Sequence, residues 1–321
     1  MPANRQGSIH LFRIAGIDVY LHWSWFIVGI IEVGYLRSRY SSLLWSVLEY
    51  LALFVIVLLH EFGHAFACRQ VGGRANQIML WPLGGVAYVE PPLRPGAMLW
   101  SLAAGPLVNV ALMVPLGGAY LLVASHGWPE PSPDPYTWLA WVAGINVGLL
   151  VFNLLPIYPL DGGQILRSLL WFVMGRGRSL QVATVIGFIG AAGFVCYALL
   201  RESVWLLAIA AYMLLNCWNG WKVARVLIRM EKMPRREGYA CPNCGAKPPL
   251  GPHWHCGQCR RTFDTFETGA VCPWCQARFS NTMCMDCQKT SALRDWMAAG
   301  SYQGATVPQG SSIVEQRPTG S

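Results

Sequence analysis

Long apolar runs separated by short polar segments set the pattern of this chain. Residues 95–129, 135–160, 179–200 and 203–221 contain no Asp, Glu, Lys or Arg. Each is long enough for the helix of roughly 20 residues that crosses a bilayer. Residues 43–67 form a further span, interrupted by Glu49 and by the polar run His60-Glu61-Phe62-Gly63-His64. Residues 16–36 complete the count, although they hold Asp18 and Glu32. The pattern predicts an all-α polytopic membrane protein with about six transmembrane helices. Apolar runs stop near Lys222, and cysteines begin soon after.

Composition agrees. The chain is 54% hydrophobic and 12% charged, with mean hydropathy +0.36, whereas soluble domains carry roughly 25% charged residues. Lys and Arg orient the spans, because cytoplasmic loops collect them. With both ends on one side, that side receives Arg69, Arg74 and Arg94, Arg167, Arg176 and Arg178, and the cluster from Lys222 to Arg236. The other side receives only Arg37, Arg39 and Arg201. Both termini are therefore expected in the cytoplasm, with the chain multi-pass in the cell membrane. The net charge of +8 reflects this bias and contact with the lipid bilayer, so nucleic acid is not an expected partner. The 15 Trp suit membrane interfaces. The first 20 residues lack a signal-peptide pattern, and no cleavage is expected there.

The chemistry starts at residue 60. A helix places residues four apart on one face, so His60 and His64 can hold one metal ion. Glu61 can reach a metal-bound water as general base. A catalytic zinc usually has three protein ligands, and the best third candidate is Asp161, because acids within a membrane are rare and mark functions. It lies in Asn153-Leu-Leu-Pro156-Ile-Tyr-Pro159-Leu-Asp161-Gly162-Gly163. Pro156 and Pro159 break the helix before it, and the glycine pair frees the backbone after it.

With these motifs the chain resembles the site-2 protease family of intramembrane zinc metalloproteases, over roughly residues 10–225. HEFGH matches the family's HExxH, and NLLPIYPLDGG matches its second motif, in which the Asp is the third zinc ligand. Gly105-Pro106-Leu107-Val108-Asn109 matches a Gly-Pro-x-x-Asn motif, and Leu83-Gly84-Gly85-Val86 resembles a glycine pair after the motif helix. The layout resembles the sporulation-protease branch. The resemblance implies that Asn153 binds substrate backbone or stabilises the oxyanion, with an interhelical hydrogen bond as the simpler role. Gly84 and Gly85 would shape a short re-entrant hairpin whose edge pairs with an extended substrate, an ordinary tight turn being the alternative. Asn109 is a candidate for substrate binding and, more simply, for packing between helices, with Gly105 allowing close approach.

Eight cysteines form four Cys-x-x-Cys pairs: Cys241/Cys244, Cys256/Cys259, Cys272/Cys275 and Cys284/Cys287. A tight turn that presents two thiolates to one ion is a zinc knuckle. Four pairs make two structural sites of four thiolates, a zinc-ribbon-like cytoplasmic domain. The simplest pairing is sequential, and a crossed pairing joins the first pair to the third and the second to the fourth. The expected organisation is a metalloprotease domain over 1–225, a basic linker over 226–240, the cysteine module over 241–290 and a disordered tail over 300–321.

The reading is an intramembrane zinc endopeptidase with one catalytic and two structural Zn2+. Its substrate would be a single-span membrane protein, such as a membrane-held transcription factor or an anti-sigma factor. The module could bind a substrate's cytoplasmic segment, a regulatory protein or nucleic acid, and protein interaction or gating is the favoured reading. The rival is a non-catalytic membrane adaptor that binds metal and recruits partners through the cysteine module. The intact Glu61 argues against it, because a metal-binding relic has no need of that carboxylate.

Overall fold

The computed structural model describes residues 7–81, 84–125, 134–297 and 317–318. The chain divides into two compact units, Met1–Val226 and Leu227–Ser321.

Seven α-helices are present among the described residues: α1 Ser24–Leu36, α2 Leu43–Gln70, α3 Pro95–Ser125, α4 Asp134–Leu154, α5 Asp161–Met174, α6 Arg176–Leu200 and α7 Val204–Glu231. Of these, α2, α3, α4, α6 and α7 are long and apolar enough to cross a membrane. The protein is a polytopic helical membrane protein. Even α4, the shortest of the five at 21 residues, reaches about 32 Å at 1.5 Å per residue, which matches the hydrocarbon core.

The first predicted span, 16–36, divides differently. Its N-terminal part is a strand, β2 (Ile17–His22), and only 13 residues become helix α1. Strand β1 (Ser8–Ile14) joins β2 through Ala15 and Gly16, at φ 50° and 74°. Two left-handed residues suit the right-handed twist of a hairpin. With β3 (Arg74–Trp81) and β4 (Gly84–Glu90) they form a four-stranded sheet in the order β1-β2-β3-β4. The β2–β3 pairing is parallel and the other two are antiparallel. Ile17, Val19 and Leu21 alternate along β2 and, with Ile78 and Leu80 of β3, share a buried core with Val57, Phe62, Ala65 and Cys68 of α2. The sheet thus rests on the part of α2 that carries HEFGH, and β4 is left as its free edge.

The run 135–160 also divides. Helix α4 stops at Leu154, a loop holds Pro156 and Pro159, and α5 starts at Asp161. Both prolines act as expected of residues that lack an N–H and clash with a preceding turn.

The second unit is built from turns and short strands around two small cores. One gathers Cys256, Phe263, Ala270, Cys272, Ala277 and Phe279. The other gathers Cys241, Trp254, Phe266, Cys284 and Trp296. Arg235 pairs with Asp286 at 2.7 Å and Arg236 with Asp264 at 2.7 Å. Both arginines lie in the segment expected to be a linker. The expected tail lies outside the described residues, apart from Arg317–Pro318, which pair with Trp254 and His255.

Candidate active site and metal centres

Helix α2 places His60 and His64 one turn apart, and the start of α5 brings Asp161 to them. Asp161 Oδ2 is 3.0 Å from His60 Nε2 and 3.2 Å from His64 Nε2, and the two Nε2 atoms are 3.1 Å apart. Ligands about 2.0–2.1 Å from a tetrahedral zinc sit roughly 3.3 Å from one another, so the triangle has nearly the right size for such an ion.

Hydrogen bonds behind the rings set their protonation. His60 Nδ1 is 2.6 Å from Asn109 Oδ1, and His64 Nδ1 is 2.8 Å from the Ser101 carbonyl oxygen. Both partners can only accept, so each Nδ1 carries the proton and donates it. Each Nε2 then presents a lone pair to the other and to the Asp161 oxygen. Three acceptor atoms facing one another repel unless a cation lies among them. The donor set therefore fits a divalent metal ion.

Close helix approach makes room for this triangle. A Cβ at Gly105 of α3 would come within 2.7 Å of His60 Nε2 and closer still to His64 Nε2. A Cβ at Gly63 would come within 2.7 Å of the Ala104 carbonyl oxygen. Glycine at both positions lets the backbones of α2 and α3 meet against the imidazoles.

Glu61 is buried beside the two histidines, with 6% of its surface exposed. Its Oε2 accepts the N–H of Ala87, on the edge strand β4, at 2.8 Å. Gly84 and Gly85 open the same strand, opposite Trp81 and Leu80 of β3. A cavity of about 580 Å³ reaches the triangle and is also lined by Glu61, Asn153 and Ala87. Trp205, Ile209, Met213 and Asn216 of α7 line it too, at the three- and four-residue spacing of one helix face. The structure thus brings His60, Glu61, His64, Asp161 and Asn153 to one cavity. It places Asn109 behind His60, fully buried, with its amide N–H donated to Asn146 Oδ1 at 2.9 Å.

Sequence reasoning missed Asn146, the Ser101 carbonyl, the Ala87 N–H and the α7 face. Asn146 had a signal, since it is one of two amides in an otherwise apolar run, two turns before Asn153. The backbone groups had none, because any residue supplies them.

The cysteines form two clusters, but not in either expected pairing. Cys241 and Cys244 join Cys284 and Cys287, and Cys256 and Cys259 join Cys272 and Cys275. The first pair meets the fourth and the second meets the third. Sulfur separations are 3.7 and 3.8 Å in the outer cluster, and 3.5 and 3.7 Å in the inner one. Thiolates about 2.3 Å from a tetrahedral zinc are roughly 3.8 Å apart, so both clusters have the dimensions of a four-thiolate site. Each knuckle repeats one turn: the residue four beyond the first cysteine donates its N–H to that cysteine's carbonyl. That residue is left-handed every time, at Gly245, Arg260, Gln276 and Gln288. At Cys272, burial raises the thiol, but the N–H groups of Cys275 and Trp274 and neighbouring thiols outweigh it, bringing it down to about 7.

Comparison with known proteins gives the same picture. The description "Peptidase family M50" matches residues 49–130 and 130–197. A zinc metalloprotease of Methanocaldococcus jannaschii is 32% identical over 219 residues, which cover 68% of this chain and 62% of that protein. Stage IV sporulation protein FB of Bacillus subtilis is 33% identical over 120 residues, covering 36% of this chain and 38% of that one. The solved structure of the site-2 protease from Methanocaldococcus jannaschii is 31% identical, with 67% of this chain and 95% of that chain covered and a TM-score of 0.49. The chain belongs to peptidase family M50, the site-2 protease family. It spans about three fifths of the length of the first curated relatives it matches, 62% in each of two.

Proposed function

We propose that this protein is an intramembrane zinc endopeptidase that cleaves a membrane-spanning protein. The observation that carries the reading is the set of inward-facing lone pairs on His60, His64 and Asp161, with the Glu61 carboxylate beside them on an apolar helix. Family membership supports it. Held by His60, His64 and Asp161, the metal would supply Lewis acidity toward a water molecule and the scissile carbonyl. Glu61 accepts the proton of the attacking water and returns it to the leaving amine. Burial of Glu61 excludes competing solvent. Asn153 donates its amide N–H toward the developing oxyanion. The free edge of β4, beginning at Gly84 and Gly85, offers backbone groups to a substrate that has unwound into extended form. Unwinding is required because a helix hides its peptide bonds in internal hydrogen bonds.

The substrate class is a single-span protein in the bilayer. The positive-inside bias supports cytoplasmic termini and a cell-membrane location. The nested cysteine clusters hold two structural zinc ions, and the module they fold engages a regulatory protein. The deciding experiment is cleavage of single-span candidates in cells producing wild type or Glu61→Gln. The amide cannot take a proton from water, yet it leaves the ligands in place. Loss of cleavage with zinc retained is the expected result, and retained cleavage would remove Glu61 as the base.

A further inference from the structure

We infer that Asn146 is a positioning residue for the metal centre: through Asn109 it holds His60 in the tautomer that can bind metal. This rests on the metal reading of the His60–His64–Asp161 triangle given above. The side-chain hydrogen bonds of Asn146 go to Asn109, not to the triangle or to Glu61. It acts by fixing which way round another amide stands.

The carbonyl oxygen of Asn109 can only accept a hydrogen bond, and Asn146 Nδ2 donates to it at 2.9 Å. That contact settles the orientation of the Asn146 amide, since its oxygen could not replace the donor. Asn146 Oδ1 is therefore the atom that faces Asn109 Nδ2, at 2.9 Å. The Asn109 amide is settled in turn, leaving its Oδ1 toward His60 Nδ1 at 2.6 Å. An acceptor at that place requires the proton on Nδ1 and leaves the Nε2 lone pair free for the metal. Asn109 and Asn146 are both fully buried, so water does not compete for these groups. The whole sequence of contacts joins α3, α4 and α2.

Without Asn146, the Asn109 amide gains a second orientation. Rotated by half a turn, it would present Nδ2 to His60, and the ring would have to carry its proton on Nε2. An imidazole protonated at Nε2 cannot ligate from that atom. Orienting partners of metal-binding histidines are typically worth about tenfold to a hundredfold in metal affinity. A carboxylate at position 109 behaves differently. Both of its oxygens accept, so either orientation suits Nδ1–H of His60, and Asn146 loses its orienting role.

The test uses the full-length protein in detergent, and reads zinc retained against a graded series of chelator concentrations. His60→Ala supplies the baseline from the cysteine clusters. Asn146→Leu, which keeps the shape but no polar group, should lose the membrane-site zinc at a chelator concentration about tenfold to a hundredfold lower than wild type. Asn146→Asp still places an acceptor opposite Asn109 Nδ2 and so should stay within about threefold of wild type. In the Asn109→Asp background, adding Asn146→Leu should shift retention less than about threefold, because the carboxylate needs no orientation. Three outcomes would overturn the inference. Wild-type retention in Asn146→Leu, or a loss in Asn146→Asp as large as in Asn146→Leu, would show that the acceptor at position 146 orients nothing. A full loss persisting in the Asn109→Asp background would show that Asn146 acts only by packing α3 against α4. Identical zinc in wild type and His60→Ala at every chelator concentration would overturn the metal reading itself, and the role of Asn146 with it.

Discussion

Ala87 donates its backbone N–H to the Glu61 carboxylate at 2.8 Å, which ties the edge of the sheet to the acid of the HEFGH motif. Sheet and helix α2 are thus joined at Glu61 as well as through their apolar core. Because the N–H of Ala87 is spent on Glu61 and not on β3, this strand position can lose its donor without breaking the ladder.

Ala87→Pro removes that donor at an edge, where proline is tolerated. A hydrogen bond to a charged group contributes about 1.5–3 kcal/mol. Cleavage of a single-span substrate should fall roughly tenfold to a hundredfold, with zinc content unchanged. Unaltered cleavage would mean that the contact does not orient Glu61 during the reaction.

Gly105→Ala places a methyl group against the Nε2 atoms of both histidines. Either α3 retreats or the rings turn away. A displacement near 1 Å at a reacting centre can cost about a hundredfold in rate. Zinc above the His60→Ala baseline and cleavage should both be lost, while Gly118→Ala, where an added Cβ meets nothing within 4 Å, should behave as wild type.

Asp161→Asn retains shape but replaces a carboxylate ligand by a neutral amide. Membrane-site zinc should weaken and cleavage should cease, since only His60 and His64 remain as strong ligands. Metal analysis of the full chain against the same baseline checks this. Full retention of zinc and activity would make another residue the third ligand.

The nested pairing of the cysteine module is tested by counting zinc. Replacing Cys241 and Cys244 by Ser should remove one ion. Adding Cys284→Ser and Cys287→Ser should remove nothing more, because that site is already empty. Adding Cys256→Ser and Cys259→Ser should instead remove the second. Sequential pairing would make the 256/259 addition the silent one, and crossed pairing would make it the 272/275 addition.

Topology is read with reporters in the full chain. One placed at Gly238 should report the cytoplasm, and one placed within residues 126–135 should report the opposite side. Both on one side would shift the span count by one.

Much of this protein is written locally. Long uncharged runs become long helices because a bilayer leaves a backbone few other ways to satisfy its hydrogen bonds. His60, Glu61 and His64 were legible together because helical periodicity alone puts them on neighbouring positions of α2. Asp161 was legible because an acid between helix breakers in an apolar run has few reasons to be there. The sheet was harder to see. Ile17, Val19 and Leu21 carry a period of two, but the apolar stretch that follows hid it within an expected span. The break between α4 and α5 was marked by Pro156 and Pro159, yet nothing local said that a separate helix would start at Asp161 itself.

Cysteine spacing determined four knuckles and hence two candidate metal sites, but not which knuckles share each. Any two knuckles can share an ion, and the choice depends on which turns the Trp254 and Phe263 cores bring together. The same limit applies to the membrane site. The sequence by itself determined the candidate ligands, the candidate base and the membrane setting, because those follow from residue type and periodicity within single segments. Only the tertiary structure decided that Ala87 meets Glu61, that Ser101 and Asn109 fix the imidazole protons, and that Asn146 stands behind Asn109. Those contacts join residues from 26 to 49 positions apart in the chain, and some use backbone groups that every residue shares, so packing alone selects them.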